Sequence, residues 1–573
     1  MKSKIFEDWG NGFDINSALK CYCSSLKRIF AVIIFTIYVQ TGFGQIPMWS
    51  WARSGTGNGS AEGSTVTTDA SGNIYVSGYF TSNTVTIGAF TLQNEGLSFN
   101  DGFLAKYDPL GNVLWAQRFG GTSNDRGTSV TTDKDGNVYL TGYFYSPTIA
   151  FGTDTLKNAG NVGDIFIVKF DSSGKILWAK REGAVALEIP HSIHVDSNNN
   201  ILVTGRFSSN SITFGSTTLL QAGSMDVFLV KYNSKGELLW AKGAGGGSND
   251  EGYHVTTDAS GNIYVAGYFT QPSNFGTIKL TSAGIADMFL AKYDSEGGNV
   301  LWAKNAGGKG DDRATGLKTD AAGNCYLTGF YTNDSISFGQ IVLPNDSLDN
   351  SFIARYDTNG NVIWAKSIGG DCEAKDMALF DNNLYVSGQF NADTLKYGSS
   401  TLIVNGTTDF FLLNCDTNGN AKWAIKQTAD GKSGESAVSV ATDNIGNVII
   451  TGFFSSEPLT FGSTGLNSER GFNMFTAKLG SGTTGISDLM ADTYGFSVYP
   501  NPGSGIFTVK TDGIIHSVDI YSISGGKVFS QTNINQPLYT KVNLSILTSG
   551  IYLIKANIEG KQYSRKLIIQ NKD

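Results

Sequence analysis

Three acidic stretches are the first candidates for chemistry: Ser123-Asn124-Asp125-Arg126, Ser248-Asn249-Asp250-Glu251 and Gly310-Asp311-Asp312-Arg313. Clustered carboxylates beside backbone carbonyls are the ligands that a hard cation such as calcium takes. Asp125, Asp250, Asp311 and Asp312 are therefore candidate calcium ligands. Asp125, Arg126, Asp250, Glu251, Asp311, Asp312 and Arg313 are candidate binding residues for a polar ligand. The competing reading is a solvated turn in which the aspartate caps its own backbone, and it carries more weight. No other cofactor is expected.

Histidine is scarce, with only His191, His194, His254 and His516. His191 and His194 stand three apart with Glu188 nearby, which admits a metal. On a strand, however, residues three apart point to opposite faces. His194 also fills a repeat position held by Thr67, Thr131 and Thr256, so a strand substitution is the favoured reading. No Ser-His-Asp set, phosphate-binding loop or HExxH motif is present, and no catalytic residue is assigned.

The elements that must position these groups repeat along the chain. Phe166–Lys180 reads FIVKFDSSGKILWAK, and similar lines recur at Phe103–Gln117, Phe228–Lys242, Phe289–Lys304 and Phe352–Lys366, with a degenerate copy at Phe411–Ile425. Aligned on tryptophan, the units fall at Trp51, Trp115, Trp178, Trp240, Trp302, Trp364 and Trp423, 59 to 64 residues apart. A second marker accompanies them, as in SGNIYVSGYF at 71–80 and DGNVYLTGYF at 135–144. Fixed-period self-similarity overrides any domain count based on length.

Each unit reads as four strands, exemplified by 128–133, 137–144, 164–170 and 175–180. Alternation and β-branched or aromatic enrichment support each strand. Asp-x-x-Gly-Asn turns join the first pair and the second pair, since Asp bonds its own backbone and Gly or Asn takes positive φ. Such a unit cannot bury both faces alone, and radial stacking solves that. The last unit lacks a tryptophan strand, whereas the segment Met48–Arg53 is a tryptophan strand without a unit. The expectation is an all-β, seven-bladed β-propeller of four-stranded blades over 46–480, closed by one N-terminal and three C-terminal strands. The connection between second and third strands is long and carries its own pattern (IAFGTDTL at 149–156, ITFGSTTL at 212–219). It is expected as an extra hairpin over one face, where ligands bind.

The repeat resembles the SBBP bacterial β-propeller family, through G-N-x-Y-x-x-G-Y-F and D-x-x-G-N-x-x-W-A-K. The resemblance implies an extracytoplasmic propeller without fixing an activity. Residues 481–493 read as a linker, and 494–573 as a small Ig-like β-sandwich. Tyr499-Pro500-Asn501-Pro502, Gly550-Ile551-Tyr552 and Lys566–Ile569 make this region similar to the C-terminal sorting domain of type IX secretion in Bacteroidetes-like bacteria. That resemblance implies the type IX machinery as partner and a secreted or outer-membrane surface location.

The N-terminus agrees with export. Ile29–Val39 is an apolar run of 11 preceded by Lys20, Lys27 and Arg28. It is too short to span a bilayer and fits a signal peptide over 1–44 with an unusually long n-region, leaving no stable transmembrane segment in the mature chain. Cys21 and Cys23 would leave with it. Cys325, Cys372 and Cys415 remain, without metal-like spacing, as small core residues. A net charge of −8 without a basic stripe argues against nucleic acid. Sialidase-type Asp boxes place tryptophan five residues after aspartate, and here Asp171 to Trp178 is seven. Quinoprotein repeats share a Gly-x-x-x-Trp ending, but their Thr-Gly pair is absent from that turn. The expected function is a monomeric, non-catalytic surface or secreted protein that binds glycan or protein through its long-loop face. The alternatives are an extracellular propeller enzyme of hydrolase, lyase or quinoprotein type, and a structural envelope component.

Overall fold

The computed structural model describes residues 47–573 apart from 97–98, 161, 428–433, 456–457, 469–470, 481–496, 500–502, 523–526, 549, 560 and 570–573. The expected signal segment and the linker lie outside the described residues. Among the described residues, no helix is long and apolar enough to cross a membrane.

Among the described residues, seven antiparallel meanders of four strands follow one another along the chain, each running from an innermost first strand to an outermost fourth, and two of them are extended to six strands by the next sheet's hairpin. The second sheet is representative, with Asp125–Thr132, Val138–Phe144, Asp164–Phe170 and Ile176–Glu182. The sheet that begins at Glu435–Thr442 takes its outermost strand from the other end of the chain. There Trp49–Thr56 pairs with Asn473–Leu479 in the register Ala52↔Ala477 and Ser54↔Phe475.

Hydrogen bonds between innermost strands link every sheet to the next. Thr132 donates to Thr68, Ile193 to Ser129, Val255 to Ser192, Thr319 to Thr257, Thr315 to Ala374, Val440 to Asp376 and Val66 to Ser439. The last of these returns to the first sheet, so the ring is closed and the fold is a β-propeller.

The turns explain why aspartate, glycine and asparagine recur together. Asp133 Oδ1 accepts the amides of Asp135 and Asn137 at 3.0 and 2.8 Å, while Oδ2 accepts the Asn137 amide group and the Tyr139 hydroxyl. Gly136 sits at φ +80°, a backbone conformation that residues with a side chain rarely adopt.

The second such turn in each unit also binds its neighbour. Trp115 donates its indole N–H to the carbonyl of Ser172 in the next sheet's turn at 3.4 Å, and Lys106 donates to the same oxygen at 2.8 Å. Trp302 and Lys292 share Thr358 in the same way. The turn glycine lies against the indole, so a Cβ on Gly174 would stand 3.0 Å from Trp115. The turn of the fourth sheet has one extra residue, Gly297-Gly298, and there Trp240 Nε1 is left without a partner.

The long connections form hairpins as expected, for example Thr84–Ile87 with Phe90–Gln93, but they do not cover a face. This one pairs with the outermost strand of the preceding sheet through Gly55↔Ile87 and Thr56↔Thr86. Its tip glycine, Gly88, abuts Val113 on its own outermost strand. Val85, Ile87 and Leu92 are buried, as are Ile149, Phe151 and Leu156 in the next hairpin. Hydrophobic alternation therefore pulls each hairpin onto the outer wall across a joint. The expected binding loops are wall packing.

The described residues of 497–569 form one continuous five-stranded sheet rather than two separately bonded layers. The long strands Ile506–Ser522 and Lys527–Asn543 pair along their length, with register shifts near Lys510/Ile514 and Ile515/Ser517. Both halves feed one core holding Phe507, Val509, Ile520, Ile554 and Leu567. Cys325, Cys372 and Cys415 are free and buried.

Gly174→Ala and Gly136→Ala both place a side chain at positive φ, a cost of about 1–2 kcal/mol. Only Gly174→Ala also displaces a neighbour's indole, whereas the nearest atom to a Cβ on Gly136 is 3.7 Å away. Urea unfolding should show Gly174→Ala as the more destabilising by about 1–3 kcal/mol. Equal losses would contradict the latch.

Candidate functional site in the central channel

All seven innermost strands carry a β-bulge at the same place, which ejects one residue from the ladder. The ejected residues are Ser64, Thr128, His191, Tyr253, Thr315, Lys375 and Val438, and all of them line one cavity of about 340 Å³ at the centre of the ring. A bulge re-aims a side chain without ending the strand. The following residue turns to the next sheet instead. Ser129, Ser192 and Ser439 accept that sheet's bulge-region amides at 3.2–3.3 Å.

The cavity is lopsided. The first, second and seventh sheets contribute Ser64, Thr65, Thr128, Ser129, Val438 and Ser439. The third to sixth contribute His191, Tyr253, His254, Arg313, Glu373, Lys375 and Asp376. On this titratable side the charges are paired. His191 meets Glu251 at 3.0 Å, Arg206 lies 3.3 Å from Glu251, and Tyr268 donates to it at 2.8 Å. Burial alone would raise the Glu251 carboxyl, but His191, Arg206 and Tyr268 outweigh it and hold it below its ordinary value. Arg313 grips Asp311 through two bonds of 2.7 Å, donates to the Tyr253 hydroxyl at 3.2 Å, and lies 4.1 Å over the Tyr268 ring. Lys375 pairs with Glu373 at 2.6 Å.

Deeper in the channel, burial lowers His254 to about 4, with Lys318 adding to the shift and Asp376, 3.9 Å away, opposing it. His194 is likewise lowered to about 4 by burial and Lys318. Both imidazoles are neutral at pH 7.

The acidic stretches divide by strand alternation. Asp125, Asp250 and Asp312 point away from the channel and are fully buried. Asp125 accepts the Gly121, Tyr145 and Ser146 amides and the Ser146 hydroxyl. Asp250 accepts the Gly246 amide and the Ser273 hydroxyl, and Asp312 accepts the Gly308 amide. Burial pushes Asp125 up to about 6, and Asp250 and Asp312 up to about 7. Their neighbours turn to the channel mouth, where Glu251 and Arg313 join the cluster and Arg126 lies 3.8 Å over Tyr79.

The alternation argument for His191 and His194 fails because of the bulge. Its extra residue lets both side chains reach the fourth sheet, His191 at Glu251 and His194 at Thr257, 3.0 Å from each. Among the described residues no group of three or more potential ligands could hold a metal. Sequence patterns single out none of Tyr253, Lys375 and Asp376, and His254 stands out only as a scarce residue type. The available signal was the small residue before six of the seven bulges, at Gly63, Gly127, Gly252, Ala314, Ala374 and Ala437.

Comparison with known proteins adds the following. A profile of the family described as a beta-propeller repeat matches residues 114–143 and 239–268, and one described as a secretion system C-terminal sorting domain matches 497–570. The chain therefore carries SBBP propeller repeats and a type IX sorting domain, which marks it for export to the cell surface or the medium. A protein of Acanthamoeba polyphaga mimivirus, described as an uncharacterized WD repeat-containing protein, is 26% identical over 502 residues, covering 70% of this chain and 36% of that one. The Caulobacter vibrioides regulatory protein FlaEY is 23% identical over 369 residues, covering 60% and 38%. The chain thus spans little more than a third of these curated relatives. Among solved structures, the Neurospora crassa Pan2 WD40 domain matches with a TM-score of 0.39 at 11% identity, covering 75% of this chain and 97% of that one. A quinohemoprotein alcohol dehydrogenase of Comamonas testosteroni matches with a TM-score of 0.37 at 12% identity, covering 81% and 80%.

Asp125→Ala strips the acceptor from buried N–H and O–H groups and should cost about 2–3 kcal/mol in urea unfolding. Arg126→Ala, at the mouth, should cost less than about 1 kcal/mol. Reversal of that order would remove the division between buried caps and mouth residues.

Histidine titration supplies a second check. Because folding lowers the His254 pKa, the unfolded chain binds the extra proton between pH 6.5 and about 4. The stability contributed is full above pH 6.5 and is lost as pH falls through that window. Wild type should therefore lose stability relative to His254→Gln as pH drops from 6.5 to 4. A constant difference would show that the imidazole is not held neutral.

Proposed function

We propose that this exported propeller is a binding protein that takes a glycan at the mouth of its central channel. The observation that carries the reading is the pairing of charges around an aromatic-rimmed polar cavity. Arg313 with Asp311, Lys375 with Glu373 and Arg206 with Glu251 cancel one another. Such a site offers many fixed donors and acceptors but little net charge, which suits a polyhydroxylated ligand better than a phosphate backbone or a strongly ionic peptide. Tyr253 and Phe330 supply ring faces for the apolar side of a sugar, and the seryl and threonyl wall opposite supplies hydroxyl partners. The ligand-bearing face is the strand-end face of the ring rather than its long connections.

A second reading, hydrolase or lyase chemistry, draws on the titratable side of the cavity and on His254 beside Asp376. A base held near pH 4 is weak at neutral pH, which favours binding over proton abstraction.

A glycan array with the purified chain tests the proposal. Binding should weaken about tenfold or more, a loss of about 1.4 kcal/mol or more, in Arg313→Ala and Tyr253→Ala. Turnover of an array glycan, abolished by His254→Gln, would replace the binding reading with the enzymatic one. Export is tested separately. Deleting residues 494–573 in the native host should retain the propeller in the periplasm, and unchanged surface display or release would contradict the role given to that domain.

A further inference from the structure

Among the described residues of 47–480, the aromatic rings left exposed are those of Phe99 and Phe472, at 43% and 38%. Both sit on the strand-end face that carries the channel mouth. The Ala61 amide donates to the Phe472 carbonyl at 2.7 Å, and the Asp125 amide donates at 2.7 Å to Asn100, the residue after Phe99. Ala61 and Asp125 open the innermost strands of the first and second sheets. Each of these strands reaches the cavity three residues on, at Ser64 and Thr128. At about 3.3 Å per residue, each anchor point lies about 10 Å along its strand from the cavity wall. The two rings therefore flank the first sheet, one at each of its joints, outside the cavity but on its rim.

The frame of the ring does not require a phenyl group at either place. Phe472 fills a position held at other joints by Asn100, Gly163, Met225, Ala286 and Thr408, each of which offers its carbonyl to the next innermost strand. The Phe472 ring is instead set by Phe453, packed edge to face with 5.0 Å between centroids. Phe453 stands opposite Ser436 in the ladder, at the mouth end of the seventh sheet. Buried charge also falls away here, since this joint encloses Ala61 and Asn473 where the next encloses Asp125 and Asp101. The cavity wall on the same side is Ser64, Thr65, Val438 and Ser439. From cavity to joint, the seventh and first sheets thus offer hydroxyls and then a fixed ring.

We propose that Phe99 and Phe472 are outer stacking subsites for a glycan chain whose end occupies the central cavity. The inference rests on the channel-mouth glycan reading and narrows it, making the ligand an oligosaccharide or polysaccharide rather than a single sugar. A cavity of about 340 Å³ ringed by seven strands takes the end of a chain, and the remaining sugars must leave across the rim. On the far side the rim is occupied by ion pairs, Arg313 with Asp311 and Lys375 with Glu373. Over the first sheet it carries a phenyl ring at each margin. The apolar face of a sugar laid on a phenyl ring removes apolar surface from water without calling for a charge.

The test titrates the purified full chain by calorimetry with disaccharides and hexasaccharides of malto, cello, xylo and chito type. In a series that binds, the hexasaccharide should bind about tenfold or more tighter than the disaccharide. The double variant Phe99→Ala/Phe472→Ala should abolish that difference and leave disaccharide affinity within about twofold. Phe99→Tyr/Phe472→Tyr keeps both rings and should keep the difference. Arg313→Ala should weaken both lengths alike. Either single alanine variant serves if the double variant fails to fold, and should shrink the length dependence. Equal affinity at both lengths, or a length dependence untouched by losing the rings, overturns this inference, and the channel reading survives it if Arg313→Ala still weakens binding. No binding by any series overturns both. A dimer in sedimentation that the double variant dissociates would give the rings to a second copy of the chain, and would overturn the inference as well.

Discussion

The ring depends on one repeated contact, an indole lying on the positive-φ glycine of the next sheet's turn. Glycine is required there twice over. Gly111, Gly174, Gly236, Gly360 and Gly419 have φ between +77° and +89°, and each lies against a tryptophan of the preceding sheet. The lysine or arginine directly opposite that tryptophan on the adjacent third strand reaches the same turn carbonyl, as Arg355 does with Trp364 at Thr417. One carbonyl thus receives an indole N–H and a cation, and the apolar and polar parts of the joint close together. This couples two sequence features that look independent, the Asp-x-x-Gly-Asn turn and the Trp-Ala-Lys strand. The turn is shaped for its own hairpin, yet its glycine and carbonyl are used by the neighbouring sheet.

The seam shows what happens when that contact is withheld. The sheet that joins the two ends of the chain has no turn between its third and fourth strands, because they come from opposite ends of the sequence. Trp423 of the preceding sheet therefore has no turn glycine to rest on. Closure falls instead to backbone pairing between Trp49–Thr56 and Asn473–Leu479, and to Trp49 packed edge-on against Phe461 at 4.8 Å. Pairing residues more than four hundred positions apart carries a large loop-closure cost, so the ring can close only after nearly the whole propeller has been laid down. That order suits a chain whose sorting domain lies beyond the seam.

The repeat was legible because its positions do the same work in every copy. Period-two alternation, turn aspartates and the tryptophan column gave the strands, their pairing and the closing strand at Trp49–Thr56. The hairpins were legible as elements but not in placement, since a pattern of alternate apolar residues says that one face is buried without saying against what. Ile87, Phe151 and Phe214 bury theirs against the outer wall. The site was only half legible. The acidic stretches marked the strand starts, and the seven candidate residues in them divide: Asp125, Asp250 and Asp312 are buried caps, Arg313, gripping Asp311, lines the channel cavity, Glu251 meets His191 beside it, and Arg126 lies over Tyr79. A single bulge per strand, invisible to an alternation count, moved His191 to the mouth beside Glu251.

The site and the structural frame are therefore read from opposite features of one alignment. Frame positions are those where copies agree, because every joint needs the same turn and the same indole. Channel positions are those where they disagree, because seven strands converge on one space and only their differences can shape it. The bulge column runs Ser64, Thr128, His191, Tyr253, Thr315, Lys375, Val438, with no residue type shared by all. The buried aspartates that open the third strands obey the same logic at one remove: Asp101, Asp164 and Asp409 each meet a cation three residues after the tryptophan, where the units of Asp226 and Asp287 carry Gly243 and Asn305. Arg118, Arg181 and Lys426 show what an acidic joint ordinarily contains, so Gly243 and Asn305 become informative only as departures from it. Both departures flank the fourth sheet, which also supplies Glu251, Tyr253, His254 and Tyr268. In a ring built by repetition, chemistry collects where repetition lapses, and here the lapses in the wall and in the joints fall on the same side.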